Sequence, residues 1–312
     1  MSPRVHPVPV ASLVLLAALA HPGLAVPIDG RLDASYGPAR SVQTTQTLSQ
    51  DNPSGFGGAD SIASAFGSEL DAGYAVLEGG SLELFVAGNV MSYSGEFPHQ
   101  SQLLVFIDCR PGGQNPLRAD NADVGYFPDS KLNTFAGLAF DPEFVPDYWF
   151  DCTVGETAPR VYGYAAELLA AGGGSGQFLG RSAAGGPGLL TGGTNPDGVL
   201  VTIDNSNSAG VTSGCQAATP GDVRKGVEWS IPLAALGNPS GAVKICAFIA
   251  GVYGNGWLWN QVLGPLPPGT CGLGAPAAVN FGAIPGAQYF VIEITPVAAH
   301  EVSWGRLKAW YR

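Results

Sequence analysis

Oxygen-bearing side chains crowd one stretch of this 312-residue chain. Asp108, Asn115, Asp120, Asn121 and Asp123 fall in and beside one predicted loop. Calcium is a hard cation that takes about six to eight such oxygens. Asp120 and Asp123 are three apart, whereas an EF-hand loop steps its ligands by two, so the set is not an EF-hand. Asp108, Asn115, Asp120 and Asp123 are the expected ligands if Ca2+ is held. The alternative is that they are turn formers in a solvated loop. A second set is aromatic. Trp257 and Trp259 are two apart, which on an extended segment turns both rings to one side. Asn260 and Gln261 follow and could bond sugar hydroxyls while the apolar faces of the sugar stack on indole. The competing reading is that paired aromatics in a β protein anchor a loop or fill a core.

Hydrolytic chemistry finds less support. Beyond the first 25 residues the histidines are His99 and His300, and neither sits in a G-x-S-x-G or H-E-x-x-H context. Glu69, Glu83, Glu143 and Glu228 leave a carboxylate-pair glycosidase open, but their spacing singles out no pair. The expectation is a non-catalytic protein. The five cysteines, Cys109, Cys152, Cys215, Cys246 and Cys271, contain no C-x-x-C pair, which argues against zinc. In an oxidising compartment one or two disulfides are expected. Cys109–Cys152 is one candidate, since both follow strand-like runs at an Asp. Cys271 with Cys215 or Cys246 is another.

The elements that must position these residues read as short strands. Tyr74–Leu77 and Leu82–Ala87 flank Glu78-Gly79-Gly80, a hairpin signal. Leu103–Ile107 is apolar without alternation and predicts a strand buried on both faces, ending at Asp108. Further strands are predicted at Ser41–Ser49, Phe135–Phe140, Tyr148–Val154, Gly198–Ile203, Gly226–Ile231, Val243–Val252 and Gln288–Ile294, and Arg160–Leu169 reads as a strand with a short helix as the alternative. Tyr148-Trp149-Phe150 is expected in the core. Pro232–Gly237 predicts a short helix with a glycine stop. Ala171–Asn195, nearly all small residues, is expected as a surface excursion, and Tyr253–Pro268 as an aromatic-rich loop. Strands, turns and no repeated βα unit predict an all-β protein, a β-sandwich or jelly roll with long Gly-rich loops and one or two short helices.

Composition limits the partners. The formal charge is −11, and −12 once Arg4 is removed with the first 25 residues. Such an acidic chain is a poor match for nucleic acid. With 46% apolar residues it has ample material for a core. Residues 1–25 read as a signal peptide, with a weakly basic start, an apolar stretch at Val10–Ala20 and small residues at Gly23 and Ala25. No run reaches the about 20 apolar residues of a membrane span. The expected product is a secreted or cell-surface domain over residues 26–296, meeting an extracellular polysaccharide or a cell-surface component. It would end in a basic-aromatic tail, residues 297–312, with Trp304, Leu307 and Trp310 at helical spacing.

Ile28-Asp29-Gly30-Arg31-Leu32-Asp33-Ala34-Ser35-Tyr36 resembles the opening of family-9 carbohydrate-binding modules and DOMON-like sandwiches. The blocks GSELDAGYAVLEGGSLELFVAGN, VFIDCRPGGQN, GLAFDPEFVPDYWF and GVEWSIPLAALG are similar to a family of exported bacterial proteins that often carry a PEP-type sorting signal. This chain departs from that family in having no Pro-Glu-Pro and no terminal hydrophobic helix. The resemblance implies a sandwich fold and a surface or matrix role, with no activity to carry over.

Overall fold

The computed structural model describes residues 26–46, 68–92, 101–156, 158–208, 210, 223–253 and 255–294. The expected signal peptide and basic tail, together with Cys215, His99 and His300, lie outside the described residues. What is described is a β-sandwich. Its strands are β1 (Ser41–Val42), β2 (Glu69–Glu78), β3 (Ser81–Asn89), β4 (Ser101–Asp108), β5 (Tyr148–Gly155), β6 (Arg160–Glu167) and β7 (Gly176–Ala183). They continue as β8 (Thr191–Gly192), β9 (Leu200–Ile203), β10 (Gly226–Pro232), β11 (Ala242–Gly251), β12 (Leu258–Val262), β13 (Gly272–Gly274) and β14 (Phe290–Glu293). The smaller sheet runs β1-β2-β3-β10-β9. The larger runs β13-β12-β11-β4-β5-β6-β7-β8, with β14 also on β11.

The hairpin forms where predicted. Gly79 and Gly80 both take positive φ (58° and 88°), the geometry that matches a two-residue turn to the twist of its strands. Glu78 then faces Ser81, and the pairing runs down to Glu69 and Asn89, with a bulge between Leu70 and Ala72. The unbroken apolar run of β4 is explained by its place at the centre of the large sheet. Leu103, Val105 and Ile107 enter the core between the sheets, together with Phe150 from β5, Ile245 and Ile249 from β11 and Trp229 from β10. Leu104 and Phe106 point the other way, into a second core on the outer face of the large sheet. Phe106 stacks there on Phe248 at 5.6 Å and meets Phe140 at 4.9 Å. Each such side chain stabilises the fold by about 1.5–3 kcal/mol of transfer free energy. Trp149 lies fully buried in that outer layer, so the expected core role of Tyr148–Phe150 holds.

Four expectations are corrected. Phe135–Phe140 is not a strand. It enters through a 3-10 turn at Leu132–Phe135 and then plugs Phe135, Leu138 and Phe140 into the outer core, with only Ala139 bridged to Asn280. Ala171–Asn195 is not a mere excursion, because it supplies β7 and β8. Small residues pair there because the ladder is made by backbone, and a Cβ at Gly180 would stand 2.8 Å from the Thr191 carbonyl oxygen. Tyr253–Pro268 contains β12 rather than being all loop. Of Ser41–Ser49, the described residues 41–46 contribute the two-residue β1. Past it the Gln43 side chain turns inward and donates to the Val262 carbonyl at 2.8 Å.

The cysteine pairing is also corrected. Cys109, Cys152 and Cys246 are free thiols. In the antiparallel β4–β5 pair, Cys152 sits opposite Leu103, whereas Cys109 lies beyond Ile107 at the far end of β4. Six residues of extended chain separate these levels, about 20 Å, against the ~7 Å limit for Cα atoms of a disulfide. Cys271 is disulfide-bonded, and with Cys246 free its partner lies outside the described residues.

Candidate functional site

The four residues expected to bind calcium are each engaged separately. Asp108, at the end of β4, faces Lys244 across the β4–β11 pair, with an ion pair of 3.1 Å, and also accepts from the Val145 N–H at 3.2 Å. Asn115 staples a loop: its Nδ2 donates to the carbonyls of Phe140, Asp141 and Phe144, and its Oδ1 accepts from the Phe140 N–H. Asp120 takes two bonds from Arg118, at 2.8 and 2.6 Å, and Asp123 accepts from the Asn133 N–H at 3.0 Å. Among the described residues no three His, Cys, Asp or Glu side chains are grouped to hold a metal ion.

The four expected sugar contacts divide. Trp257, just before β12, is 48% exposed and is the only exposed aromatic side chain among the described residues. Its indole lies against β13, where Cβ atoms built on Gly272 and Gly274 would stand 3.7 and 3.9 Å from the ring. The Nε1–Cζ2–Cη2 edge of the ring thus lies beside these two glycines. Its loop is closed by the Gly251 N–H donating to the Trp257 carbonyl at 2.9 Å. Trp259 does not join it: half-buried on β12, it packs against the core between the sheets. Asn260 and Gln261 are wholly buried. Asn260 donates to the carbonyls of Gln46 and Thr270, while Gln261 accepts from the Leu70 N–H and donates to the Thr45 carbonyl. These two amides fasten β12 to the start of the chain and to β2, which removes them from any ligand.

Sequence reasoning missed a separate group of rings. Tyr253, in the loop before Trp257, meets Phe127 edge-on at 4.9 Å. The next residue, Tyr126, meets Tyr162 of β6 at 5.7 Å, and Tyr162 stacks on Phe178 of β7 at 6.1 Å. All five rings are half-buried, so a discontinuous aromatic surface crosses the outer face of the large sheet. Its polar edge is Glu156, which accepts from the Tyr162 hydroxyl and pairs with Arg181 at 3.3 Å and Arg160 at 3.4 Å. Burial, and then the nearness of Tyr253, Tyr162 and Glu156, push the Tyr126 phenol up. It therefore stays neutral and can donate. No single segment could have revealed this surface, since its rings come from four separated stretches and only Tyr162 lies in a legible strand.

Of the four glutamates, the structure brings two together. Glu228 of β10 lies opposite Phe85, and Ser230 lies opposite Glu83 of β3, which makes Glu83 and Glu228 diagonal neighbours on the outer face of the small sheet. Burial raises each to about 7, and Glu228 adds to the rise at Glu83. The Glu228 carboxylate accepts from the N–H groups of Asp29 and Gly30, and from the Tyr36 hydroxyl, all at 2.8 Å. Those donors are the conspicuous residues of the opening motif. Gly30 (φ 80°) is required because a Cβ there would stand 2.4 Å from the Asp204 nitrogen. The motif thus docks the first described segment onto the sheet, and Glu228, with no solvent exposure, is its anchor. Glu69 is buried at the start of β2, and Glu143 lies elsewhere beside Tyr289.

Comparison with family models, curated proteins and solved structures returned no match.

Proposed function

We propose that this protein is a non-catalytic, exported β-sandwich that attaches to an extracellular polysaccharide or cell-surface glycan through the exposed indole of Trp257. The observation that carries this is the exposed indole seated against the glycines of β13. A ring fixed on one side and open on the other loses little freedom when it stacks on a sugar, and the apolar C–H face of a pyranose is its natural complement. The half-buried rings of Tyr253, Phe127, Tyr126 and Tyr162 offer further aromatic surface to a chain of sugars. The role of Glu228 as an anchor supports a binder over a carboxylate-pair hydrolase.

The test is affinity electrophoresis and array binding over soluble and insoluble polysaccharides. Trp257→Ala should abolish retention on whichever glycan holds the native protein, with its melting curve unchanged, because the side chain it removes is half in solvent. Retention that survives Trp257→Ala, or no retention on any glycan, would refute the proposal.

A further inference from the structure

The two sheets do not close everywhere. Near the start of β5 and the end of β6 they leave a slot of about 80 Å3 between them. Its floor is apolar, made by Phe150, Leu179 and Val199 of the inter-sheet core. Its rim is polar, made by Tyr148, Glu167, Gln177 and Asp197.

The rim is held in place from behind. The Arg110 guanidinium lies 4.7 Å from the centre of the Tyr148 ring and bonds Glu167 at 2.6 Å. The backbone N–H groups of Cys109 and Arg110 both donate to Asp147 at 2.9 Å, which fixes the turn from which Arg110 projects. What the rim presents is unspent. Tyr148 is 8% exposed, and its hydroxyl makes no hydrogen bond among the described residues, nor do the side chains of Gln177 and Asp197. Gly237 borders the hydroxyl closely: a Cβ there would stand 3.2 Å from it, tighter than ordinary contact, so only glycine leaves room beside it. Burial pushes the phenol up to about 12, so the hydroxyl is protonated and can both donate and accept.

We propose that this slot is a second ligand site that takes the edge of a single neutral sugar unit. The ligand class rests on the carbohydrate-binding role proposed above, and the slot's own chemistry agrees with it. A neutral phenol, an amide and one carboxylate, free of partners at the edge of an apolar floor, match vicinal hydroxyls above C–H groups. A cation is a poorer match, because Glu167 is already neutralised by Arg110 and the guanidinium would face it. At roughly 30 Å3 for each water-sized group, the slot admits a hydroxymethyl or N-acetyl substituent and leaves the rest of the ring outside. It accordingly reads a terminal unit, whereas the Trp257 surface reads the length of a chain.

The probes are methyl glycosides of glucose, galactose, mannose and N-acetylglucosamine, titrated into the native protein with NMR and calorimetric detection. At least one should bind saturably in the millimolar range. Asp197→Asn and Tyr148→Phe, which remove a charge and a hydroxyl without removing bulk, should each weaken it by about tenfold with unchanged melting curves. Gln177→Ala, at a half-buried rim position, is the independent variant should Tyr148→Phe disturb the core. Trp257→Ala should leave monosaccharide binding intact while losing the polysaccharide, so failure of one site is told apart from failure of the other. No saturable binding up to about 100 mM would overturn the proposal. So would binding that is indifferent to Asp197, Tyr148 and Gln177, or binding that disappears with Trp257 alone.

Discussion

Replacing Glu228 by Gln tests the anchor directly, through the pH dependence of stability. Burial raises the Glu228 carboxyl from its ordinary 4.5 to about 7, against three hydrogen bonds that pull the other way. A carboxyl with a higher pKa folded than unfolded binds more protons in the native state between those two values. Its contribution to stability is therefore fully present below about 4.5 and is lost as pH rises through about 7. One extra native proton gives a slope of about −1.4 kcal/mol per pH unit, and across this window the total loss comes to about 3 kcal/mol. Glu83 shares the window and is raised partly by Glu228, so the change belongs to the coupled pair. Glu228→Gln keeps an acceptor for the Asp29 and Gly30 N–H groups and removes the titration. Denaturant unfolding of both proteins at a series of pH values and constant ionic strength should show the variant with a flatter profile from pH about 5 to about 7. It should also be less stable at the acid end, where Tyr36 has lost its best acceptor and a buried unsatisfied donor costs about 1–3 kcal/mol. Identical slopes for the two proteins would refute the account of Glu228 as a buried, proton-gaining anchor.

Three further outcomes follow from the same geometry. Trp259→Ala should lower stability by about 2–4 kcal/mol, measured by denaturant unfolding, because it opens a cavity against the core between the sheets; a loss under about 0.5 kcal/mol would mean the ring is not packed as described. Calcium or EDTA should leave the melting temperature unmoved, since Asp108, Asn115, Asp120 and Asp123 are each held by protein partners; an ion at a hundredfold its Kd would instead add about 2.7 kcal/mol, and a rise of that size would restore the loop as a metal site. The thiols of Cys109, Cys152 and Cys246 should react slowly with a disulfide reagent in the native protein and fully after denaturation without reductant, since burial pushes Cys109 up to about 12 and raises the other two well above the ordinary thiol range; rapid native labelling at Cys152 would contradict its place in the core.

Much of the sandwich was legible in the chain because strand formation is local. Two consecutive glycines could only make the β2–β3 turn, and the unalternating run of β4 announced a strand covered on both sides. The Gly stop after Pro232–Leu236 ended its turn as expected, with Gly237 left-handed at φ 72°. Strands carried by backbone alone were not legible. Gly176–Ala183 has few apolar side chains to pattern, and only its neighbours β6 and β8 make it a strand. Phe135–Phe140 looked like strand material because Phe135, Leu138 and Phe140 are apolar, but they are spent on the outer core rather than on a pleat.

The candidate sites divide on the same line. Sequence by itself determined the fold class, the acidic charge and the presence of two closely spaced indoles. It also displayed the opening motif, though not the glutamate that motif serves. Only the tertiary structure decided between Trp257 and Trp259, which share spacing but not surroundings: one lies on bare glycine backbone, the other against the core. It alone took Asn260 and Gln261 out of reach, scattered the aspartates among separate partners, and set Glu83 beside Glu228 from strands that meet far apart in the chain. The physical reason is common to all of these. Side-chain type and local spacing fix what a residue can do, while burial and the identity of its hydrogen-bond partners come from segments brought together by sheet pairing.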